Sequence, residues 1–314
     1  METILVTGAT GFIGSHLVPL LRSRYDVYTL ERYVTGRYSL DPEYTYYADL
    51  NDHVSIRKII GKLKPNRVIH LAAISAVAYS YNHSNEVMNT NYRATMNLAE
   101  ACLELLDFKQ FIFAGTSEEY GQQGSFPIKE DAPLRANSPY SASKIAADRY
   151  LQYLYEAYDL PFTVVRPFNT YGRMRNRHFI VERIITQMLS GGEVTLGDPH
   201  PRRDFMYIVD HLNAYLACIG NDKAVGEAFN FCTGVEVTIK TLADNLKDLT
   251  GWKGEVQWNK TQSRPYDIYR LLGDNGKAKR ILGWMPQYSL EDGLTETIRR
   301  YRESHTVEQS SSTI

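Results

Sequence analysis

The sequence predicts an α/β protein, a doubly wound parallel sheet carrying a smaller C-terminal α/β domain. Three observations predict it. The chain opens with a short apolar strand, Ile4-Leu5-Val6, that runs into glycines spaced three apart (Gly8, Gly11, Gly14) and then into an amphipathic helix. Strand-like and helix-like segments then alternate through the first half, the pattern of a parallel sheet with helices on both faces. At 314 residues the chain exceeds the usual size of one domain, which leaves room for a second, smaller one.

Each element has its own justification. In the first turn, Gly8 permits the tight bend, Gly11 lets the backbone approach a pyrophosphate, and Gly14 lets the helix at 13–23 sit close on the strand. The phosphates are expected on the N–H groups of the helix N-terminus, at Phe12 and Ile13. The second strand, 26–30, leads to Glu31, 23 positions past Gly8. An acid there binds the adenosine ribose hydroxyls and favours NAD. Arg32 and Arg37 follow closely and suit a 2′-phosphate, so NADP stays open. After a third strand at 44–48, Asp49 has two readings. It accepts from the adenine amino group while Leu50 packs on the ring, or it is an ordinary helix N-cap. A helix at 54–63 and a strand at 67–71 follow, then a helix at 90–105, a strand at 111–114, a helix at 141–157 and a strand at 162–166. The ligand is expected beyond the C-terminal ends of these strands.

Past Pro167 the alternation breaks. Residues 172–178 form a polar, basic loop, followed by a helix at 179–189, short strands at 194–196 and 205–207, and late helices at 238–250 and 289–301. The domain reading is therefore 1–170 for the nucleotide-binding unit, with a segment near 205–235 returning to it. Residues 171–302 form mainly the second unit. The polar, Ser-rich stretch 303–314 is expected to be disordered.

Composition narrows the function. Lys+Arg 35 against Asp+Glu 36 leaves a formal net charge of -1, which excludes a broad nucleic-acid footprint. Cys102, Cys218 and Cys232 lack metal or C-x-x-C spacing and sit among apolar neighbours, so they read as reduced core residues of a cytosolic protein. No apolar run approaches membrane-spanning length, and the first strand begins where a signal peptide would lie. No metal and no membrane partner are expected.

The strongest chemical signal is Ser138-Pro139-Tyr140-Ser141-Ala142-Ser143-Lys144. Ser138 as N-cap with Pro139 at the first helical position marks a helix start. Tyr140 and Lys144 then lie one turn apart on one face. A lysine ammonium near a phenol is expected to lower its pKa from about 10 toward neutrality, giving a base for a substrate hydroxyl. The segment Thr116-Ser117-Glu118-Glu119-Tyr120-Gly121 follows a strand end, where such folds collect polar groups. Thr116 can hydrogen-bond a sugar hydroxyl beside Tyr140, and Glu118 can remove a carbon-bound proton next to a carbonyl. Glu119 reads as a solvated acid without chemistry.

Taken together, these residues resemble an extended short-chain dehydrogenase/reductase of the NAD-dependent nucleotide-sugar epimerase/dehydratase family. The similarity spans nearly the whole chain. It runs from Thr7-Gly8-Ala9-Thr10-Gly11-Phe12-Ile13-Gly14 through His70-Leu71-Ala72-Ala73, the Tyr140 and Lys144 pair and Arg166-Pro167-Phe168-Asn169-Thr170-Tyr171-Gly172. It continues through Arg203-Asp204-Phe205-Met206-Tyr207-Ile208-Val209-Asp210 to Arg264-Pro265 and Leu282-Gly283-Trp284. The resemblance implies a Rossmann-type domain, a tightly held NAD, a nucleotide-diphosphate sugar as substrate and a homodimer paired through two helices of each subunit. It adds Leu71, Ala72, Ala73 and Pro167 to the cofactor contacts. For the substrate it implies Ser75, Thr116, Asn169, the 173–178 loop, Arg203, Asn230 and Arg264.

Within the family, Thr116-Ser117-Glu118-x-Tyr120-Gly121 is most similar to 4,6-dehydratases, because simple 4-epimerases usually carry small or serine residues where Glu118 stands. A departure lies at Ser117, which is Asp in dTDP-glucose dehydratases, and a serine hydroxyl is a poor proton donor. The expected activity is thus a nucleotide-sugar 4,6-dehydratase using Thr116, Ser117, Glu118, Tyr140 and Lys144. A 4-epimerase is the alternative, a decarboxylase a weaker one, and a non-catalytic dinucleotide-binding sensor the remaining class.

Overall fold

The computed structural model describes residues 1–33, 40–174, 176, 178–259 and 266–311, with 304–311 as backbone only. The first half runs β1 (Thr3–Thr7), α1 (Gly14–Leu21), β2 (Asp26–Glu31), β3 (Thr45–Tyr47), α2 (His53–Leu63) and β4 (Arg67–His70). It continues with α3 (Val77–Ser80), α4 (Ser84–Met88), a π turn (Asn89–Arg93), α5 (Ala94–Leu103), β5 (Gln110–Ala114), α6 (Pro139–Tyr158) and β6 (Phe162–Pro167). The helix expected at 90–105 therefore begins earlier, at Ser84, and passes through a π turn. Asn91 explains the distortion: its amide accepts from Ile74 N at 2.8 Å and donates to Ile74 O at 3.1 Å and Ser143 Oγ at 3.0 Å.

The second half contains β7 (Asn169–Tyr171), α7 (Ile180–Leu189), β8 (Val194–Leu196), β9 (Arg202–Tyr207), α8 (Ile208–Cys218) and β10 (Glu227–Phe231). After these come β11 (Glu236–Thr238), α9 (Ile239–Thr250), β12 (Val256–Trp258), β13 (Arg270–Leu271), α10 (Gly276–Leu282) and α11 (Leu290–Ser311). The last helix, α11, is described as far as Ser311. Within it Arg299 ion-pairs with Glu296 one turn back at 2.7 Å and with Glu303 one turn on, the spacing that supports an exposed helix.

Seven parallel strands form one sheet in the order β10-β6-β5-β4-β1-β2-β3. Its strands are apolar on both faces. Ile4, Val6, Ile69, Ile112 and Val165 pack toward Leu17, Val18 and Leu21 of α1 and Tyr215 and Cys218 of α8. Leu5, Val68, Phe111, Phe113 and Val164 pack toward Ile56 and Ile60 of α2, Leu98 of α5 and Leu151 and Leu154 of α6. Burial on both sides is why these strands read as continuous hydrophobic runs. The smaller lobe joins β11, β9, β13 and β7 in one sheet and pairs β12 with β8. Its helices pack Ile184, Ile185, Leu242, Leu246, Leu294 and Ile298 into the same cluster that lines the α1 and α8 face. The lobes share one core. All three cysteines are buried and unpaired.

Candidate active site

The site is assembled at the C-terminal ends of the sheet. Gly8 has φ +73°, and a Cβ there would meet Ala72 N at 2.7 Å. A Cβ at Gly14 would lie 2.3 Å from Gly8 O, so both positions demand glycine by contact. Gly11 is different. It is exposed, and its added Cβ would meet only Gly8 O, at 3.1 Å, so the remaining space is open to a ligand. Helix α1 starts without a side-chain cap, which leaves the N–H groups beside Phe12 and Ile13 for an anion. This cradle fits a dinucleotide pyrophosphate.

Glu31 ends β2 as expected, but its carboxylate is turned to the turn itself. It accepts from Ala9 N at 2.5 Å and Thr10 Oγ1 at 2.9 Å. Burial pushes its pKa up, and the Thr10 and backbone donors oppose that. Arg32 is exposed and donates to Tyr33 Oη at 3.1 Å while its guanidinium lies 4.9 Å over that ring. Arg37 lies outside the described residues. Asp49 is exposed and accepts from Asn51 N at 2.9 Å, and the cap of α2 is Asp52, three residues on. The N-cap reading of Asp49 is thereby corrected. Leu50 is half-buried against the α2 and α5 side of the core.

The loop after β4, which carries Leu71, Ala72, Ala73 and Ser75, is held by residues the sequence reading did not single out. Thr7 and His70 are register neighbours on β1 and β4. His70 Nε2 meets Thr95 Oγ1 at 2.9 Å, and that hydroxyl donates to Asn91 O at 2.6 Å. Thr95 must therefore accept from Nε2–H, and His70 Nδ1 accepts from Thr7 Oγ1 at 2.7 Å. The imidazole is neutral, its pKa pushed down to about 3 by burial and then by Lys144. Polar residues set inside apolar runs were the available signal.

Helix α6 begins as the sequence predicts, with Ser138 accepting from Ser141 N at 3.1 Å and Pro139 at the first position. It delivers Tyr140 and Lys144, both buried, under the turn Ser117–Tyr120. Thr116 caps that turn by accepting from Glu118 N at 3.2 Å, and its side chain also hydrogen-bonds Tyr140. Burial raises the Tyr140 phenol above its usual range; the Thr116 bond and the Arg173 guanidinium oppose this, and Glu119 and Glu118 add to it. The expected drop toward neutrality is absent because Lys144 is directed elsewhere. Its Nζ donates to Ala114 O at 2.8 Å and lies 4.6 Å from the Phe113 ring centroid. Burial lowers Lys144 to about 8 against the pull of Glu119.

Glu118 is half-buried and accepts from Asn137 Nδ2 at 3.2 Å, with Ser117 buried beside it. Glu119 is not solvated. It is fully buried and paired with Arg166, and this corrects the sequence reading.

On the substrate side, Asn169 Nδ2 donates to Asp204 O at 3.1 Å, and Arg203, 8% exposed, pairs with Asp267 at 3.3 Å. Pro167 ends β6 half-buried. Asn230 is fully buried: it accepts from Tyr120 Oη at 2.7 Å and donates to Ile128 O at 3.0 Å, so its amide is taken up inside the fold. Arg264, Arg175 and Arg177 lie outside the described residues. Arg173, expected along the sugar and diphosphate, instead turns inward. Its guanidinium lies 4.3 Å from the Phe12 ring centroid and 3.7 Å from that of Phe179, with Glu182 at 3.8 Å. Among the described residues no cluster of His, Cys, Asp and Glu suits a metal ion, and no helix is long and apolar enough to cross a membrane.

Comparison with known proteins places this geometry. The family model described as GDP-mannose 4,6 dehydratase matches residues 5–297. A dTDP-glucose 4,6-dehydratase of Neisseria meningitidis serogroup B is 30% identical, over 98% of this chain and 95% of its own. The crystal structure of a UDP-glucose 4-epimerase with UDP-glucose from Thermotoga maritima superposes with a TM-score of 0.90 at 32% identity, covering 96% of this chain and 99% of that one. DesIV, a dTDP-glucose 4,6-dehydratase from Streptomyces venezuelae with NAD and TYD bound, superposes with a TM-score of 0.87 at 28% identity, covering 96% and 97%.

Proposed function

The chain belongs to the GDP-mannose 4,6-dehydratase family of extended short-chain dehydrogenases/reductases, the NAD-dependent epimerases and dehydratases of nucleotide sugars, and on that premise we propose that it is a nucleotide-sugar 4,6-dehydratase. One observation carries the choice of dehydratase. The half-buried carboxylate of Glu118 stands on the same short turn as Thr116, whose side chain bonds Tyr140. A base for C5 and the hydroxyl that orients the C4 hydroxyl beside Tyr140 thus share one turn.

The cofactor is held by the Gly8–Gly14 turn, with Glu31 bracing that turn from β2. When bound there, NAD would supply a reversible hydride acceptor for C4 and donor for C6, so that the reaction carries no net redox change. The residues handle protons and position. Tyr140 accepts the C4 hydroxyl proton, and Thr116 orients that hydroxyl. The 4-keto group acidifies C5–H, which Glu118 removes. With a buried serine hydroxyl at position 117, Glu118 passes the C5 proton to the departing C6 oxygen and water leaves; as C6 is reduced, C5 takes its replacement proton from solvent and Tyr140 releases the C4 hydroxyl proton. Arg203 pairs with the substrate diphosphate in place of the Asp267 carboxylate, and Asn169 lies beside the sugar.

The second reading is a 4-epimerase, favoured by the likeness to the Thermotoga maritima enzyme. It shares every step to the 4-keto intermediate and needs no base at C5. A panel of nucleotide sugars in deuterated water separates the two: C5 deuterium with loss of water means dehydration, and isotope-free inversion at C4 means epimerisation. Glu118→Gln is expected to oxidise C4, accumulate reduced nicotinamide and stop, with C5 exchange abolished. Full dehydration by this variant would show that the base lies elsewhere.

A further inference from the structure

We propose that Glu119 is a positioning residue that keeps the Lys144 side chain protonated and the 116–120 turn in shape. The family pattern leaves position 119 open, yet here it carries a carboxylate with 0% exposure. One oxygen accepts from Thr116 N at 3.0 Å, and the other accepts from Arg166 Nε at 3.0 Å. Lys144 holds the same short segment from its other end, donating to Ala114 O at 2.8 Å. Between them lies Gly115, where a Cβ would meet Val164 Cγ1 at 2.8 Å and Glu119 Oε1 at 3.1 Å. The absent side chain is what lets the carboxylate lie against the strand end that Lys144 grips.

The charges balance as a set. Arg166 reaches Asp148 at 2.7 Å as well as Glu119, and its third nitrogen donates to Tyr120 Oη at 2.9 Å. Glu119 therefore serves two cations, pairing with the guanidinium and favouring the ammonium of Lys144, whereas Asp148 reaches only the guanidinium. The charged and titratable groups that act on or face Lys144 are Glu119 on the turn and neutral His70 on β4. Without Glu119 the ammonium keeps one carbonyl and one aromatic face, and burial favours its neutral form. The inference rests on reading Lys144 as part of the catalytic pair, and holds for dehydration and epimerisation alike.

The test titrates Lys144 directly in the full chain without substrate, by carbon NMR of labelled lysine, with the resonance assigned by its loss in Lys144→Arg. Removing the anion withdraws what favours the ammonium, so Glu119→Gln is expected to lower the midpoint by about one pH unit or more. Affinity for NAD in this variant then falls more at alkaline than at neutral pH. Asp148→Asn removes an anion from the same guanidinium but not from the Ala114–Thr116 segment, and is expected to leave the midpoint in place. An unmoved midpoint in Glu119→Gln, or an equal shift in Asp148→Asn, overturns the proposal. Glutamine also sets an amide N–H against one of two donors and can weaken folding. Glu119→Asp covers that case: it keeps the charge, so a midpoint that falls by a full unit there overturns the proposal as well. The isotope experiment with nucleotide sugars succeeds or fails independently of all three.

Discussion

Tyr140 sits between opposing influences, with burial holding its proton on and the Thr116 bond and Arg173 guanidinium easing it off. Removing only the phenol oxygen tests its role as proton acceptor. Tyr140→Phe is expected to reduce turnover by two to four orders of magnitude, roughly the worth of a positioned general base, while NAD affinity by titration stays near wild type. Near-normal oxidation of the C4 hydroxyl would remove Tyr140 from the mechanism. Lys144→Ala is expected to weaken NAD binding as well as turnover, since one buried ammonium serves both. The pair was legible in the sequence because capping and i, i+4 spacing are local. The adjacent acids were not. Glu118 and Glu119 are identical as letters, and only the tertiary fold leaves one half-buried beside Asn137 and sets the other onto Arg166, 47 positions away.

Strands and long helices were readable as elements because their apolar periods are strong. The short strands at 194–196 and 205–207 were readable too, but the π turn at 89–93, helix α8 and strands β7, β11, β12 and β13 were not, because contacts far along the chain make them. His70 and His211 show what such packing does to titration. Both imidazoles are buried and held near pKa 3 mainly by that burial, against about 6.5 when unfolded. The unfolded chain therefore takes up protons first as pH falls. Stability is complete above about pH 6.5 and declines toward pH 3, by about 2 kcal/mol per histidine at pH 5. Thermal melts are expected to show this loss between neutral and mildly acid pH. In His70→Gln the slope over that range is expected to be shallower, and an unchanged slope would mean that His70 is not the group responsible.

At the scale of the molecule, α5 and α6 each bury one face on the sheet and leave another only half-covered. Leu98, Ala99, Leu151 and Leu154 lie in the core, while Met96, Leu103, Ile145 and Ala146 are intermediate, with Tyr153 and Tyr158 exposed on α6. We expect two copies to pair these helices. Light scattering at micromolar concentration should then give a mass near 72 kDa, twice the 35.9 kDa of one chain. Charged substitutions at Met96 and Ile145 together should yield a monomer of unchanged secondary structure, and a wild-type monomer at that concentration would remove the interface.

The sequence by itself determined the sheet, the glycine turn and the Tyr140 and Lys144 helix, because each rests on residues close together in the chain and on apolar periodicity. Tertiary structure alone decided how polar side chains are used. It turned Glu31 onto the glycine turn, handed the cap of α2 to Asp52, drew Arg173 between two aromatic rings and directed Lys144 to a carbonyl rather than to the phenol. The physical reason is burial. A charge removed from water must find its partner wherever the fold supplies one, and that partner is set by strand order and lobe packing, not by neighbours in the chain.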